Sequence, residues 1–344
     1  MPELLVRHGD LATCKLVEGE PRREDLRDGE AQLLVERLAL TTNNITYAVY
    51  GDRLGYWRLF PAPEGWGRIP AWGYARVIGS RMSELSEGAR FSGLVPIGRH
   101  VTVRPVPQPR GFMDVSPHRA ELSPVYNLYR SVEGQGDDAD LIMRPLFGTA
   151  VVLDLALAER GLEEVETVIL TSASSKTAYG LAHLLRARPV RTVALTSGSR
   201  RAWVEELGIY DEVHTYEELS ALPGSGGAVL VDFAGDGTLV RAIHERLAGA
   251  LARSILVGFT HSRQESGEPP PAGPELEFFF APDEIVRRGR EFGQLYADAW
   301  RDFAPVVARA LRIERVTDGA QLMRVYRDLL DGRADPAAGY IASL

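Results

Sequence analysis

Cysteine is almost missing: Cys14 is the only one in a chain of 344 residues. That excludes an internal disulfide and any zinc site built on several thiolates. The seven histidines are His8, His100, His118, His183, His214, His244 and His261, and no two form an HxxxH or HExxH pair. No metal is therefore expected. Basic charge is in deficit. Lys and Arg number 39 against 47 Asp and Glu, and the net charge of −8 repels DNA, RNA and anionic lipid. No run approaches the ~20 consecutive apolar residues of a membrane span. The opening "MPELLVRHGDLATCKL" lacks an apolar signal core. The expectation is a cytoplasmic protein whose partner is a small molecule, with neither nucleic acid nor membrane involved.

What is present reads as a globular protein, 45% hydrophobic and 25% charged. The chain is too long for one ordinary core, so two domains are expected. The first ~105 residues contain "AQLLVERLAL", "ARVIGSR", "ARFSGLVPIG" and "HVTVRPV", short runs rich in Val, Leu and Ile and split by Gly and Pro. They predict an antiparallel, partly closed β domain. Residues 107–140 read as irregular, with the aromatic "AELSPVYNLYR" as an ordered piece. From about 141 the pattern alternates. Apolar runs at 166–171, 191–196, 228–233 and 254–259 are separated by helix candidates at 175–187, 199–207 and 236–250. Unbroken apolar strands alternating with helices predict a doubly wound parallel sheet. "LEFFFA" (276–281) is a further strand candidate, and a long helical region follows from Pro282 to about 311. The tail predicts a helix closed by Gly332 and a last strand.

The stretch "VILTSASSKTAYGLAHLL" (168–185) opens like a nucleotide-binding unit, yet its loop carries no glycine. In a dinucleotide fold the first strand-to-helix turn uses glycines so that backbone can approach the pyrophosphate. Here Ser172, Ser175 and Ala178 stand in those places. All three are small, and Ser174, Ser175, Lys176 and Thr177 add side-chain donors at a helix N-terminus, which can together hold a phosphate. The alternative is a polar helix cap that binds nothing. Lys176-Thr177 has the order of a P-loop ending, but both glycines of that motif are missing.

The next strand, "RTVALT", ends at Thr196 and runs into "SGSRR" (197–201). NAD-preferring folds place an acid there for the ribose 2′-hydroxyl. This chain has Ser197, Ser199, Arg200 and Arg201, groups suited to a 2′-phosphate. The competing explanation is a solvated basic turn. Together the loop and this tip favour NADP over NAD.

Over most of its length the sequence resembles the medium-chain dehydrogenase/reductase superfamily, in its zinc-free quinone-oxidoreductase branch. The resemblance is carried by "LALTTNNITYAVYGDRLGYW" (38–57), "IPAWGYARVIGS" (69–80), "LSEGARFSGLVPIGRHVTVRP" (85–105), "LFGTAVVLDLALAERGLEEVETVILTSAS" (146–174), "LGIYDEVHTYEEL" (207–219) and the tail "LLDGRADPAAGYIAS". It implies a GroES-like β domain at 1–140, completed by about 300–344, and a Rossmann-like domain at 141–299. It also implies a cofactor held between them, and a homodimer through edge strands; the residues themselves leave the oligomeric state open.

Departures from the family's pattern matter. The glycine turn is replaced, the branch with zinc ligands is not matched, and Tyr47 stands where the motif usually has Asp, while Asn44 matches. The implied chemistry is zinc-independent hydride transfer to or from an enone, quinone or related carbonyl. That needs positioning and a donor for the developing enolate oxygen. Tyr47, Tyr56 and Tyr126 are the candidate donors, Tyr47 first. The resemblance assigns Asn44 to the nicotinamide ribose or the substrate carbonyl. Phe259 and Thr260, at the end of a sheet strand, are expected beside the nicotinamide, with His261 next to them. Two other readings stay open: an NADP(H)-binding sensor or scaffold without turnover, and a relative repurposed for non-redox chemistry.

Overall fold

A computed structural model describes residues 2–19, 26–160, 162, 165–257 and 273–343. The chain forms two units, Met1–Ile142 with Leu311–Leu344, and Met143–Ala310.

The first unit begins with β1 (Pro2–Arg7) and β2 (Asp10–Glu18), a hairpin turning at Gly9, whose φ of +75° favours glycine. Then come β3 (Ala31–Leu40) and helix α1 (Thr42–Val49), followed by β4 (Trp66–Arg68), which pairs with β1. Next are β5 (Pro70–Ser80), β6 (Arg90–Pro96) and β7 (His100–Val103). The short strands β8 (Pro105–Gln108), β9 (Gly111–Asp114) and β10 (Leu128–Ser131) lie where the sequence reads as irregular. Strands of four residues carry too few alternations to show as a pattern. The segment 42–49, where the sequence pattern predicts no helix, is a helix. A reciprocal capping box explains it: Asn44 Oδ1 accepts from the Thr41 amide at 2.7 Å, and the Thr41 side chain serves the Asn44 amide.

The second unit holds most of α2 (Asp138–Glu159) and then β11 (Thr167–Leu170), α3 (Lys176–Leu185), β12 (Arg191–Thr196) and α4 (Arg201–Glu206). It continues with β13 (Glu212–Thr215), β14 (Ala228–Asp232), α5 (Gly237–Leu247), β15 (Leu251–Leu256) and β16 (Leu276–Phe278). The predicted helix after Pro282 is two helices, α6 (Ala281–Arg288) and α7 (Glu291–Ala310), parted by Gly289 at φ +55°. The six strands are all parallel, in the order β13-β12-β11-β14-β15-β16. That is the 3-2-1-4-5-6 order of a dinucleotide-binding sheet. Every residue of β11 and β14 is buried, which is why those strands read as unbroken apolar runs. Helix α2 is long and apolar enough by composition to cross a membrane, but 72% of its most apolar stretch is buried within the protein, as in a core helix.

The chain then returns to the first unit through β17 (Arg312–Val316), α8 (Gly319–Leu330) and β18 (Ala338–Ala342). The large sheet runs β17-β18-β3-β5-β6-β10-β9-β8, with β7 also on β3. It is antiparallel apart from the β17–β18 pair.

Candidate functional site

In the second unit, β11 delivers the chain to the loop 172–175, and Ser175 starts α3 by accepting from the Ala178 amide at 3.3 Å. Ser172, in the first glycine place, has a φ of +45°. The turn therefore keeps the left-handed backbone a glycine would supply, and a serine accepts the strain. Neighbours hold it there. The Ser172 amide donates to the Tyr216 hydroxyl at 3.2 Å, the Ala173 amide to the Leu195 carbonyl at 3.1 Å, and the Tyr210 hydroxyl to the Ala173 carbonyl at 2.8 Å. Burial raises the pKa of the Tyr216 phenol, so it stays protonated. Ser174, Ser175, Lys176 and Thr177 are half-buried at the start of α3, where first-turn amides have no partner within the helix. One loop at a helix N-terminus thus carries hydroxyls and an ammonium group, residue types that suit a phosphate.

Behind this loop lies a pair that the linear sequence does not announce. Thr171 follows β11, Asp232 ends β14, and both are wholly buried. Thr171 Oγ1 donates to Asp232 Oδ1 at 2.5 Å. The same hydroxyl accepts from the Phe233 and Ala234 amides, and Asp232 accepts from the Ala234 and Gly235 amides at 3.0 and 3.1 Å. Burial pushes the Asp232 carboxyl up to about 6, against the pull of these donors. The only signal in the sequence is a polar residue closing each of two apolar runs.

At the tip of β12, Thr196 is buried, and the Ser197 and Ser199 hydroxyls lie 3.1 Å apart in the turn that also holds Arg200. Strand β12 pairs directly with β11, so this turn and the loop 172–175 follow adjacent strands at the same sheet edge. Arg201 is engaged elsewhere, with Glu205 and Glu218 at 2.9 Å each. Phe259, Thr260 and His261 lie outside the described residues.

In the first unit the three candidate tyrosines come together. Ring centroids of Tyr47 and Tyr56 are 4.9 Å apart, of Tyr56 and Tyr126 5.4 Å, and of Tyr47 and Tyr126 6.1 Å, all edge-to-face. The Tyr56 and Tyr126 hydroxyls share a hydrogen bond of 2.9 Å, and Trp72 Nε1 donates to the Tyr47 hydroxyl at 3.1 Å. All three phenols are buried, and burial raises the pKa of Tyr47 and of Tyr56. Both remain protonated near neutral pH, so each keeps an O–H. Asn44 lies on the same helix as Tyr47, but its amide serves the fold. Nδ2 donates to the Pro70 carbonyl at 2.8 Å, while Oδ1 caps α1. Tyr126 is held by a buried ion pair, since Arg119, 3.1 Å from Asp114, also donates to the Tyr126 carbonyl at 3.3 Å. Among the described residues no three His, Cys, Asp or Glu side chains converge as metal ligands.

A β unit and a parallel-sheet unit of 3-2-1-4-5-6 order, joined in this chain order, match the GroES-like plus Rossmann-like fold expected from the sequence. Solved structures share it. CurA from Vibrio vulnificus, in complex with NADPH, matches with a TM-score of 0.66 at 13% identity, over 100% of this chain and 99% of that one. The YhdH oxidoreductase from Salmonella enterica, in complex with NADP, matches at 0.60 and 13%, over 100% of both chains. The CurK enoyl reductase matches at 0.63 and 14%, over 99% and 98%. No curated protein matches by sequence. Residues 38–335 match the family described as "Protein of unknown function (DUF2855)", and the chain belongs to that family.

Proposed function

We propose that the protein is a zinc-independent, NADP(H)-dependent oxidoreductase that transfers a hydride to or from an enone, quinone or related carbonyl. The observation that carries this reading is the loop 172–175. Its serine keeps a left-handed turn at the tip of the first strand of a 3-2-1-4-5-6 sheet, beside a turn bearing Ser197, Ser199 and Arg200. A left-handed serine is strained, and strain of this kind persists where the surroundings over-determine it. NADP(H)-bound structures of the same fold support the choice of cofactor.

The nicotinamide, when bound, supplies or accepts the hydride. The chain's own groups bind and orient. Ser174, Ser175, Lys176 and Thr177 take the pyrophosphate, and Ser199 and Arg200 the 2′-phosphate. Tyr47 donates to the carbonyl oxygen as it gains charge, within the phenol cluster completed by Tyr56 and Tyr126. A phenol that burial keeps protonated still has its O–H to donate and is a reluctant acid, so its role is stabilisation of the oxyanion rather than full proton loss.

The test has two parts. Quenching of intrinsic fluorescence by NADPH measures binding, and NADPH oxidation with a panel of enones and quinones measures turnover. Absence of both rejects the proposal. One observation favours a second reading, an NADP(H)-binding protein without turnover: the Ser172 amide is already taken by Tyr216, so one donor of the loop is spent within the fold. Binding with no oxidation across the panel selects that reading.

A further inference from the structure

We propose that the first unit carries a separate binding site for a small organic carboxylate, in a groove between β1 and β2 on one side and β7 on the other. The groove measures about 780 Å³ and draws all its lining from this unit. That volume lies within the range of small-molecule sites. Its wall is apolar at Leu5, Val17, Leu59, Phe60 and Pro61. None of its lining residues belongs to the tyrosine cluster, so the inference stands apart from the proposed redox function.

Two features point to the ligand. The first is Gln32, the second residue of β3. It is 2% exposed and lines the groove, and its Oε1 is buried with no hydrogen-bond partner among the described residues. A buried carbonyl left unsatisfied is costly and calls for a reason. The terminal amide torsion is soft, so a small rotation turns this oxygen toward a donor in the groove. The second feature is charge. Arg68 is neutralised by Glu3, but Lys15 and Arg99 have no ion-pair partner among the described residues. Lys15 rests over the Trp66 ring, 3.9 Å from its centroid, and Arg99 is exposed at the rim. Glu18 is the opposing charge on the lining. Burial lowers the pKa of His118, which leaves it neutral at pH 7. Counting Lys and Arg against Glu, the lining carries Lys15, Arg68 and Arg99 against Glu3 and Glu18, a net charge of +1 with histidines neutral that matches a monoanion, within a chain of net charge −8 counted the same way. A guanidinium fork at the rim suits a carboxylate. The ligand that fits is a flat or cyclic acid with an apolar body and a hydroxyl or N–H at its far end, which reaches Gln32.

Titration calorimetry on the full chain with 4-hydroxybenzoate, benzoate and 4-hydroxybenzamide tests this. The hydroxy acid is expected to bind about tenfold more tightly than either the acid lacking the hydroxyl or the neutral amide, as one charge-assisted or one buried hydrogen bond allows. Arg99→Gln, at an exposed site, should erase the advantage over the amide. Gln32→Leu should erase the advantage over benzoate. Equal binding of acid and amide, no binding of any probe, or hydroxy-acid binding that Arg99→Gln leaves unchanged overturns the proposal, whether or not Gln32→Leu folds.

Discussion

Asp232 should make the second unit less stable as the pH rises through mild acidity. Its carboxyl is fully buried at the end of β14, and burial lifts its pKa from 3.8 to about 6. The folded state therefore holds a proton that the unfolded chain releases. A raised folded pKa contributes stability that is complete below about 3.8 and is lost as the pH rises to about 6. The size of that loss is ~3 kcal/mol, from 1.36 kcal/mol for each pH unit between the two values. For a domain of this length it corresponds to roughly 6–12 °C in melting temperature. Asp232→Asn removes the titration. It also sets an amide N–H₂ against the Ala234 or Gly235 amide, but that penalty does not vary with pH. Scanning calorimetry of both proteins at pH 4 and pH 7.5 isolates the effect, with hydrogen exchange of the β14 amides assigning the transition to this unit. The stability of the native protein relative to the variant should fall by ~2.4 kcal/mol between the two pH values, because at pH 4 the unfolded carboxyl is already partly ionised. A relative stability that is constant, or that rises with pH, refutes the reasoning and means that the three donors outweigh burial.

Ser172→Gly should leave the fold intact and change stability by no more than ~1 kcal/mol, because relief of a left-handed serine offsets the added chain entropy of glycine; a large loss in calorimetry would show that the serine hydroxyl, not the backbone turn, is what matters. Lys176→Ala should weaken NADPH binding by roughly 1–3 kcal/mol, the scale of a charge-assisted hydrogen bond, and unchanged affinity in titration calorimetry removes Lys176 from the site. Arg200→Ala should narrow the preference for NADPH over NADH. If the two cofactors bind the unmodified protein equally, the argument from the tip of β12 fails. Tyr47→Phe should lower kcat by about 10²-fold or more with NADPH affinity unchanged, the size of one lost oxyanion donor; an unaltered kcat returns Tyr47 to a packing role.

Local pattern determined much of this protein. The run 191–196 is β12 residue for residue, the runs at 166–171 and 228–233 contain β11 and β14, and Ser175 caps the helix expected after the loop. These features are legible because burial of a strand or one helical face writes itself into consecutive residues. Helix α1 escaped because its start depends on a side chain reaching back three residues, not on periodicity. Strand β17 escaped because a half-exposed edge strand needs no apolar run.

Tertiary structure alone decided which side chains meet. Thr171 and Asp232 stand 61 residues apart, and only the parallel register that pairs Leu170 with Val231 brings the ends of their strands together. Tyr56 and Tyr126 are 70 residues apart, and neither position marks the other as its hydrogen-bond partner. The left-handed φ of Ser172 is equally invisible in a serine, since most serines never adopt it; here the contacts with Tyr216 and β12 impose it. A chain encodes the burial of each segment in that segment, but the partners of a polar group come from distant segments, and they are set only when the sheets close.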